Sequence, residues 1–301
     1  MTRTTTNLLG IVITILAGTY FYVMYCSECG STVKKEPAKE MTVPIAPEAT
    51  SYPFAFGSGD YTYHANDNFN FNISSASIRM PLSQNVTNGV TGLRTFLDEN
   101  DNKVINITGY YKGDEVNNSA FPNLGLARAT TVKGHFTKNG ISSARINAYG
   151  ELRDEIIAKE DIYIGPVFYS LESESENSDD QLKALYEKNK ANPLVLYFNT
   201  AEASINLSAA QRQKVAEISR CLDKIEGATC TIIGHTDNTG TAETNLQLGQ
   251  NRADFTKSYL IKNGIVANKI VTTSKGQAQP LESNATEEGK AKNRRTVITL
   301  N

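Results

Sequence analysis

Apolar positions along the chain fall into a few distinct patterns. From Leu8 to Tyr25 the chain is apolar for about 18 residues with no ionisable side chain, near the minimum for a bilayer-spanning helix. Farther on, apolar residues recur at helical spacing. Val90, Leu93 and Leu97 form one stripe, and Val215, Ile218, Leu222 and Ile225 form another. The second stripe opens at Ser208-Ala209-Ala210-Gln211, which reads as a capping box. Ala228 to Ile233 is a β-branched, apolar run that ends in Gly, Asn, Asp and Thr, the pattern of a buried strand leading into a turn. A further helical pattern runs from Ala242 to Asn263 and stops at Lys262-Asn263-Gly264. Together these predict an α+β protein behind an N-terminal membrane helix.

The patterns occur twice. Val90, Leu93, Leu97 and Gly109 pair with Val215, Ile218, Leu222 and Gly234 at a constant offset. Phe71 to Ile78 echoes Phe198 to Ile205, Leu126 to Ala129 parallels Gln250 to Ala253, and Asn139-Gly140-Ile141 parallels Asn263-Gly264-Ile265. Both copies read as the same strand–helix–strand–helix unit. The expected organisation is an anchor over residues 1–26, a flexible linker over 27–50 and a first domain over 51–170. An acidic joint over 171–190, with a short helix near Gln181 to Lys188, then leads to a second domain over 191–301. The 301 residues suffice for two domains of about 100 residues each.

Candidate chemistry concentrates in the second copy. Asp237 sits on the loop leaving a strand, while Asn245 and Arg252 lie seven residues apart on the next helix and share one stripe. An acid facing an amide and a guanidinium suits a zwitterion, since the carboxylate takes an ammonium and Arg takes a carboxylate bidentately. The competing reading is a structural salt bridge between Asp237 and Arg252. The string Gly234-His235-Thr236-Asp237-Asn238-Thr239-Gly240, with Asn245, Arg252-Ala253 and Asn293-Arg294-Arg295, resembles the OmpA-like peptidoglycan-binding domain. The resemblance runs from about Leu194 to Leu300. It implies two tandem OmpA-like domains, each a mixed sheet covered by helices in β-α-β-α-β-β order. It also implies that Asp237 and Arg252 grip the ammonium and carboxylate of diaminopimelate in peptidoglycan, with Asn245, Arg294, Thr236 and Thr200 in the same binding set. One departure is at Tyr197-Phe198-Asn199-Thr200-Ala201, where relatives often carry Phe-Asp-Thr-Asn, so Asn199 and Ala201 lose an acid and an amide.

In the first copy the corresponding site is degenerate. Lys112 falls where Asp237 lies, or Asp114 if the loop slips, and Phe121 falls where Asn245 lies. Nothing upstream matches Asn293-Arg294-Arg295, and only Arg128 is kept. The first copy is therefore expected to be a spacer or contact module, with an envelope protein partner or self-association through residues 51–170.

The remaining features narrow the function class. A net charge of −2 leaves no footprint for nucleic acid. His64, His135 and His235 have no metal spacing, and there is no nucleophile elbow or phosphate-cradling loop, so neither an enzyme nor a cofactor is expected. His235 reads as a pocket wall. Cys26 and Cys29, just beyond the apolar run, suit a crosslink between chains in an oxidising compartment. Cys221 and Cys230 align with apolar core positions of the first copy and read as buried thiols, with an intradomain disulfide as the alternative. A retained anchor is expected in place of a cleaved signal peptide, and Thr19 stands where the acylated Cys of a lipobox would be. The expected role is noncovalent anchoring of the envelope to the cell wall, with both domains in the periplasm. The membrane would be the inner one by topology, with the outer left open. The alternatives are an interaction scaffold with a vestigial pocket, a cell-wall hydrolase, or a motor stator, which would need an ionisable residue in the span.

Overall fold

In the computed structural model, which describes residues 3–25, 48–174, 178–199 and 205–301, the apolar N-terminal run is one helix, α1 (Arg3–Tyr25). Its segment Asn7–Tyr25 is long and apolar enough to cross a membrane. The hydroxyls of Thr14 and Thr19 donate to carbonyls one turn back, at 2.6 and 2.7 Å, so these polar side chains are satisfied inside the helix. Cys26, Cys29 and most of the expected linker lie outside the described residues.

Glu48–Asn301 forms a separate unit. Its first half contains β1 (Phe54–Ser58), β2 (Tyr61–Ala65), β3 (Phe71–Asn72), α2 (Gln84–Glu99), β4 (Lys103–Tyr111), α3 (Leu124–Lys138), β5 (Ile146–Leu152), β6 (Ile162–Tyr163) and β7 (Val167–Ser173). Strand β4 is central, with β5 parallel on one side and β7 antiparallel on the other. The second half contains α4 (Ser178–Ala191), β8 (Leu194–Tyr197), α5 (Ala209–Lys224), β9 (Cys230–His235), α6 (Ala242–Lys262), β10 (Ile270–Gly276), α7 (Glu287–Asn293) and β11 (Arg295–Leu300). Here β9 is parallel to β10 and antiparallel to β11, which also pairs with β8. Each parallel pair is joined by a helix, as a parallel connection requires.

Local signals set the element ends. The Ser208 hydroxyl accepts from the Gln211 N–H and the Gln211 side chain accepts from the Ser208 N–H, so the capping box forms and starts α5. Helix α6 stops at Lys262, and Gly264 takes a left-handed φ of +93° just beyond it. The α2 stripe of Val86, Val90, Leu93 and Leu97 and the α5 stripe of Val215, Ile218 and Leu222 are buried.

Close backbone contact seats α3 and α6 on their sheets. A Cβ on Gly234 would lie 1.8 Å from the Gly249 carbonyl oxygen, and one on Gly109 would lie 2.1 Å from that of Gly125. Only glycine permits helix and strand backbones to approach so nearly.

Two features differ from the sequence reading. Much of the expected joint over 171–190 is regular structure, since β7 runs to Ser173 and α4 is 14 residues long. Leu182, Leu185 and Tyr186 fall on one helical stripe and pack against the core, which holds α4 in place. The two halves are also joined by a shared core. Ala120, Phe121 and Ala127 of the first half belong to the same buried cluster as Leu194, Ile218 and Leu260 of the second. Lys133 pairs with Asp223 at 2.9 Å, Ala120 N–H donates to Asn263 Oδ1 at 2.9 Å, and Arg212 donates to the Ser119 carbonyl.

Gly234→Ala and Gly109→Ala are each expected to destabilise the protein by about 1–3 kcal/mol or more through overpacking. Gly134, on α3 with open space around it, should be stabilised by about 0.5–1 kcal/mol on replacement by Ala. Urea denaturation of the three variants checks this, and equal effects at all three positions would refute the close-contact account.

Candidate functional site

At the end of β9 the chain leaves the sheet through Thr236 and Asp237. Thr236 N–H donates to the Gly276 carbonyl at 3.0 Å and its hydroxyl donates to the Asp237 carbonyl at 2.8 Å. Asp237 Oδ1 accepts from Thr239 N–H at 3.0 Å, closing a local Asp turn, and Oδ2 accepts from Arg294 Nη1 at 2.9 Å. The ion partner of Asp237 is thus Arg294 and not Arg252. Asn293 places Arg294, because its buried amide braces the preceding loop. It accepts from Leu281 and Glu282 N–H and donates to Glu282 O and Asn284 Oδ1, at 2.6–3.0 Å.

Helix α6 supplies the other wall. Asn245 Nδ2 donates to Gln277 Oε1 at 2.5 Å. Arg252 is only 3% exposed, its guanidinium lies 5.6 Å from the Phe198 ring centroid, and Nη1 donates to the His235 carbonyl at 3.2 Å. Among the described residues its Nε has no hydrogen-bond partner, and neither does Nε of Arg294. Among the described residues no carboxylate forms an ion pair with Arg252. Thr200 and Ala201 lie outside the described residues.

The electrostatics follow from this packing. Burial lowers the pKa of Arg252, which Asp237 raises and Arg294 lowers further. An arginine nevertheless remains charged in a protein. Asp237 is raised by burial, but hydrogen bonds from Arg294 and Thr239 bring its carboxyl below the ordinary value. Two guanidinium groups thus face one carboxylate, leaving a local excess of positive charge. The carboxylate oxygens keep lone pairs beyond the two bonds they accept. The arrangement can take a ligand carboxylate at Arg252 and a ligand ammonium at Asp237.

Other candidate groups fall away from reactive chemistry. His235 is 4% exposed, and burial, reinforced by Arg295 and Lys275, depresses its pKa to about 4. It supports Arg252 through its backbone carbonyl. Cys221 and Cys230 are free and buried, and burial raises both thiols to about 11. Among the described residues no group of three or more His, Cys, Asp and Glu is placed to hold a metal. A groove of about 850 Å³ along α6 and β10 takes none of its walls from Asp237, Arg252 or Arg294.

The first half differs from its expected degeneration. Neither Lys112 nor Asp114 holds the acid position opposite Arg128; those two pair with each other at 3.8 Å near the surface. Glu115 takes that place and binds the Arg128 guanidinium through both carboxylate oxygens. Phe121, aligned with Asn245, is buried in the core shared by the two halves. Sequence reasoning also missed Phe198 and Gln277. Phe198 had a sequence signal in its alignment with Phe71, which lies 5.7 Å from the Arg128 guanidinium. Gln277 carried no local signal.

Residues 197–294 match the profile of the OmpA family. A stretch of 98 residues is 40% identical to "Probable lipoprotein YiaD" of Escherichia coli, covering 33% of this chain and 45% of that protein. Another of 87 residues is 41% identical to "Peptidoglycan-binding protein ArfA" of Mycobacterium tuberculosis, covering 28% of this chain and 27% of that protein. Over 173 residues the chain is 28% identical to "Peptidoglycan-associated lipoprotein" of Buchnera aphidicola, covering 58% of this chain and 91% of that one. The chain therefore spans less than half the length of the first two relatives.

The buried imidazole makes stability depend on pH. An unfolded His235 protonates near 6.5, whereas the folded one resists until about 4. Below pH 6.5 protons bind the unfolded chain first, so stability is expected to fall by about 2–3 kcal/mol as pH drops to 4. The low-pKa carboxyl of Asp237 adds to the loss in the same direction, from the ordinary carboxylate range downward. His235→Gln should make the limb between pH 6.5 and 4 shallower. An NMR titration placing the His235 midpoint at 6 or above would refute the assignment.

Proposed function

We propose, from the premise that residues 197–294 are an OmpA-family domain, that this domain binds peptidoglycan noncovalently and that its ligand is the diaminopimelate side chain. That side chain ends in a carbon bearing an ammonium and a carboxylate, and the two groups engage Asp237 and Arg252. Arg294 orients Asp237 and adds positive charge, while Asn245 and Thr236 shape the wall. No bond is made or broken. The chain would act as an envelope anchor, tethered through Asn7–Tyr25 with residues 48–301 on the periplasmic side.

One observation carries the reading: Arg252 is a buried guanidinium with an unpartnered Nε and no carboxylate paired to it among the described residues. Burying a charge without a counter-ion is costly, and an incoming carboxylate relieves that cost. The names of two relatives, one peptidoglycan-binding and one peptidoglycan-associated, support the same ligand class. In this reading the two halves are tandem copies of one unit, and the first braces the second through Phe121 and the Lys133–Asp223 pair.

Arg252→Met in the full chain should weaken co-sedimentation with purified diaminopimelate-type peptidoglycan about 30- to 1000-fold, equivalent to about 2–4 kcal/mol. Its melting temperature should stay unchanged or rise, because the variant removes an uncompensated buried charge. Arg128→Met should do the reverse, costing about 3–5 kcal/mol of stability by stranding buried Glu115 while leaving binding per folded molecule intact. Wild-type binding by Arg252→Met, with a lowered melting point, would assign Arg252 to the fold alone.

A further inference from the structure

We propose that the first half contains a carboxylate pocket of the same design as the Arg252 site, and that the chain fills it in cis with Glu115. The inference rests on the geometry around Arg128 and not on the identity of the ligand at Arg252.

The two arginines are placed by matching contacts. Arg128 lies three residues after Gly125, which touches Gly109 of β4, and Arg252 lies three residues after Gly249, which touches Gly234 of β9. Each guanidinium then reaches the carbonyl of the residue after the strand glycine. Arg128 Nη1 donates to Tyr110 O at 2.8 Å, and Arg252 Nη1 donates to His235 O at 3.2 Å. Each also lies beside a phenylalanine, Phe71 at 5.7 Å and Phe198 at 5.6 Å.

Beyond these shared contacts the two sites diverge. Around Arg128 each guanidinium nitrogen donates to an acceptor that the chain itself supplies. Nε donates to Ser75 O at 3.0 Å, and Nη1 and Nη2 each donate to a Glu115 oxygen. The carboxylate is held from behind as well, since Oε1 accepts from Ser74 N–H and Oε2 from Lys112 N–H, both at 2.9 Å. Tyr163 of β6 lies over the guanidinium at 5.2 Å, and β6 pairs with β3, closing the site. The Arg128 and Glu115 side chains are 0% and 1% exposed. A shallow cavity of about 290 Å³, lined by Ile73, Lys112, Asp114, Glu115 and Tyr163 among others, opens beside the carboxylate. Around Arg252, by contrast, Nε has no partner among the described residues. Glu115 therefore supplies internally the charge-assisted bonds that a carboxylate ligand would supply to such a guanidinium. It also excludes that ligand from the first half. Removal of its carboxylate should leave a vacancy lined by Arg128 and the N–H groups of Ser74 and Lys112, fitted to a small carboxylate.

The test uses the full chain in mild detergent, with Arg252→Met throughout to silence the second site and acetate exchanged for chloride at constant ionic strength. Arg252→Met alone should show no acetate-dependent change in melting temperature. Arg252→Met with Glu115→Ala should melt lower in chloride and regain about 3 °C or more, saturably, in acetate. Adding Arg128→Met should abolish that gain. If the Glu115→Ala protein does not fold in chloride, refolding into acetate should recover it, and failure in both salts overturns the proposal. It is equally overturned if acetate gives the Glu115→Ala protein no gain. A saturable acetate response in Arg252→Met alone that Arg128→Met removes would show an open, exchanging site and overturn the closure.

Discussion

The burial of a guanidinium against the end of a central strand is the constraint on which each half depends. Arg128 and Arg252 both enter from a helix, pass an aromatic ring and bond a strand-end carbonyl. A charge in that position needs a counter-charge, because the surroundings that hold it also remove water. The halves meet that need differently. In the first, Glu115 lies within the fold and the pair is sealed. In the second, Asp237 stands close enough to influence Arg252 but is bonded to Arg294, so among the described residues the guanidinium keeps an unanswered donor. The contrast is between a sealed ion pair and a buried guanidinium that no carboxylate pairs with among the described residues.

Placement of each arginine depends on packing rather than on electrostatics. Gly234 and Gly249 bring helix and strand into backbone contact, as do Gly109 and Gly125, and the arginine one turn later is carried to the strand end. The shared core then joins the halves. Phe121, aligned with Asn245, is buried with Leu194 and Leu260. A position that makes a polar side-chain contact in the second half thus serves cohesion in the first. Lys133–Asp223 and Lys224, which donates to the Ala144 carbonyl, reinforce the same contact.

Some of this was legible residue by residue. Whatever depends on near neighbours in sequence could be read directly: the apolar run of α1, the capping box at Ser208, the α6 stop at Gly264 and the buried stripes of α2 and α5. Asp237, Asn245, Arg252 and Arg294 could be nominated from turn chemistry, helical spacing and a family resemblance. The structure brings Asp237 and Arg294 into contact, sets Arg252 within electrostatic reach of both, and gives Asn245 to Gln277.

What the sequence determined by itself is therefore the local grammar: where helices begin and end, which faces are apolar, and which residue types stand at the strand exit. Tertiary structure decided the pairings. Asp237 chose Arg294, 57 residues away, over Arg252 because α7 and the Asn293 brace deliver that side chain to the loop. Arg128 chose Glu115 over the aligned Lys112 or its neighbour Asp114, because the loop after β4 folds back until Ser74 and Lys112 N–H groups grip the carboxylate. The acidic joint became strand and helix because Leu182, Leu185 and Tyr186 found a core to cover. In each case the deciding free energy is desolvation of charge or burial of apolar surface, and both are properties of the neighbours that folding brings together.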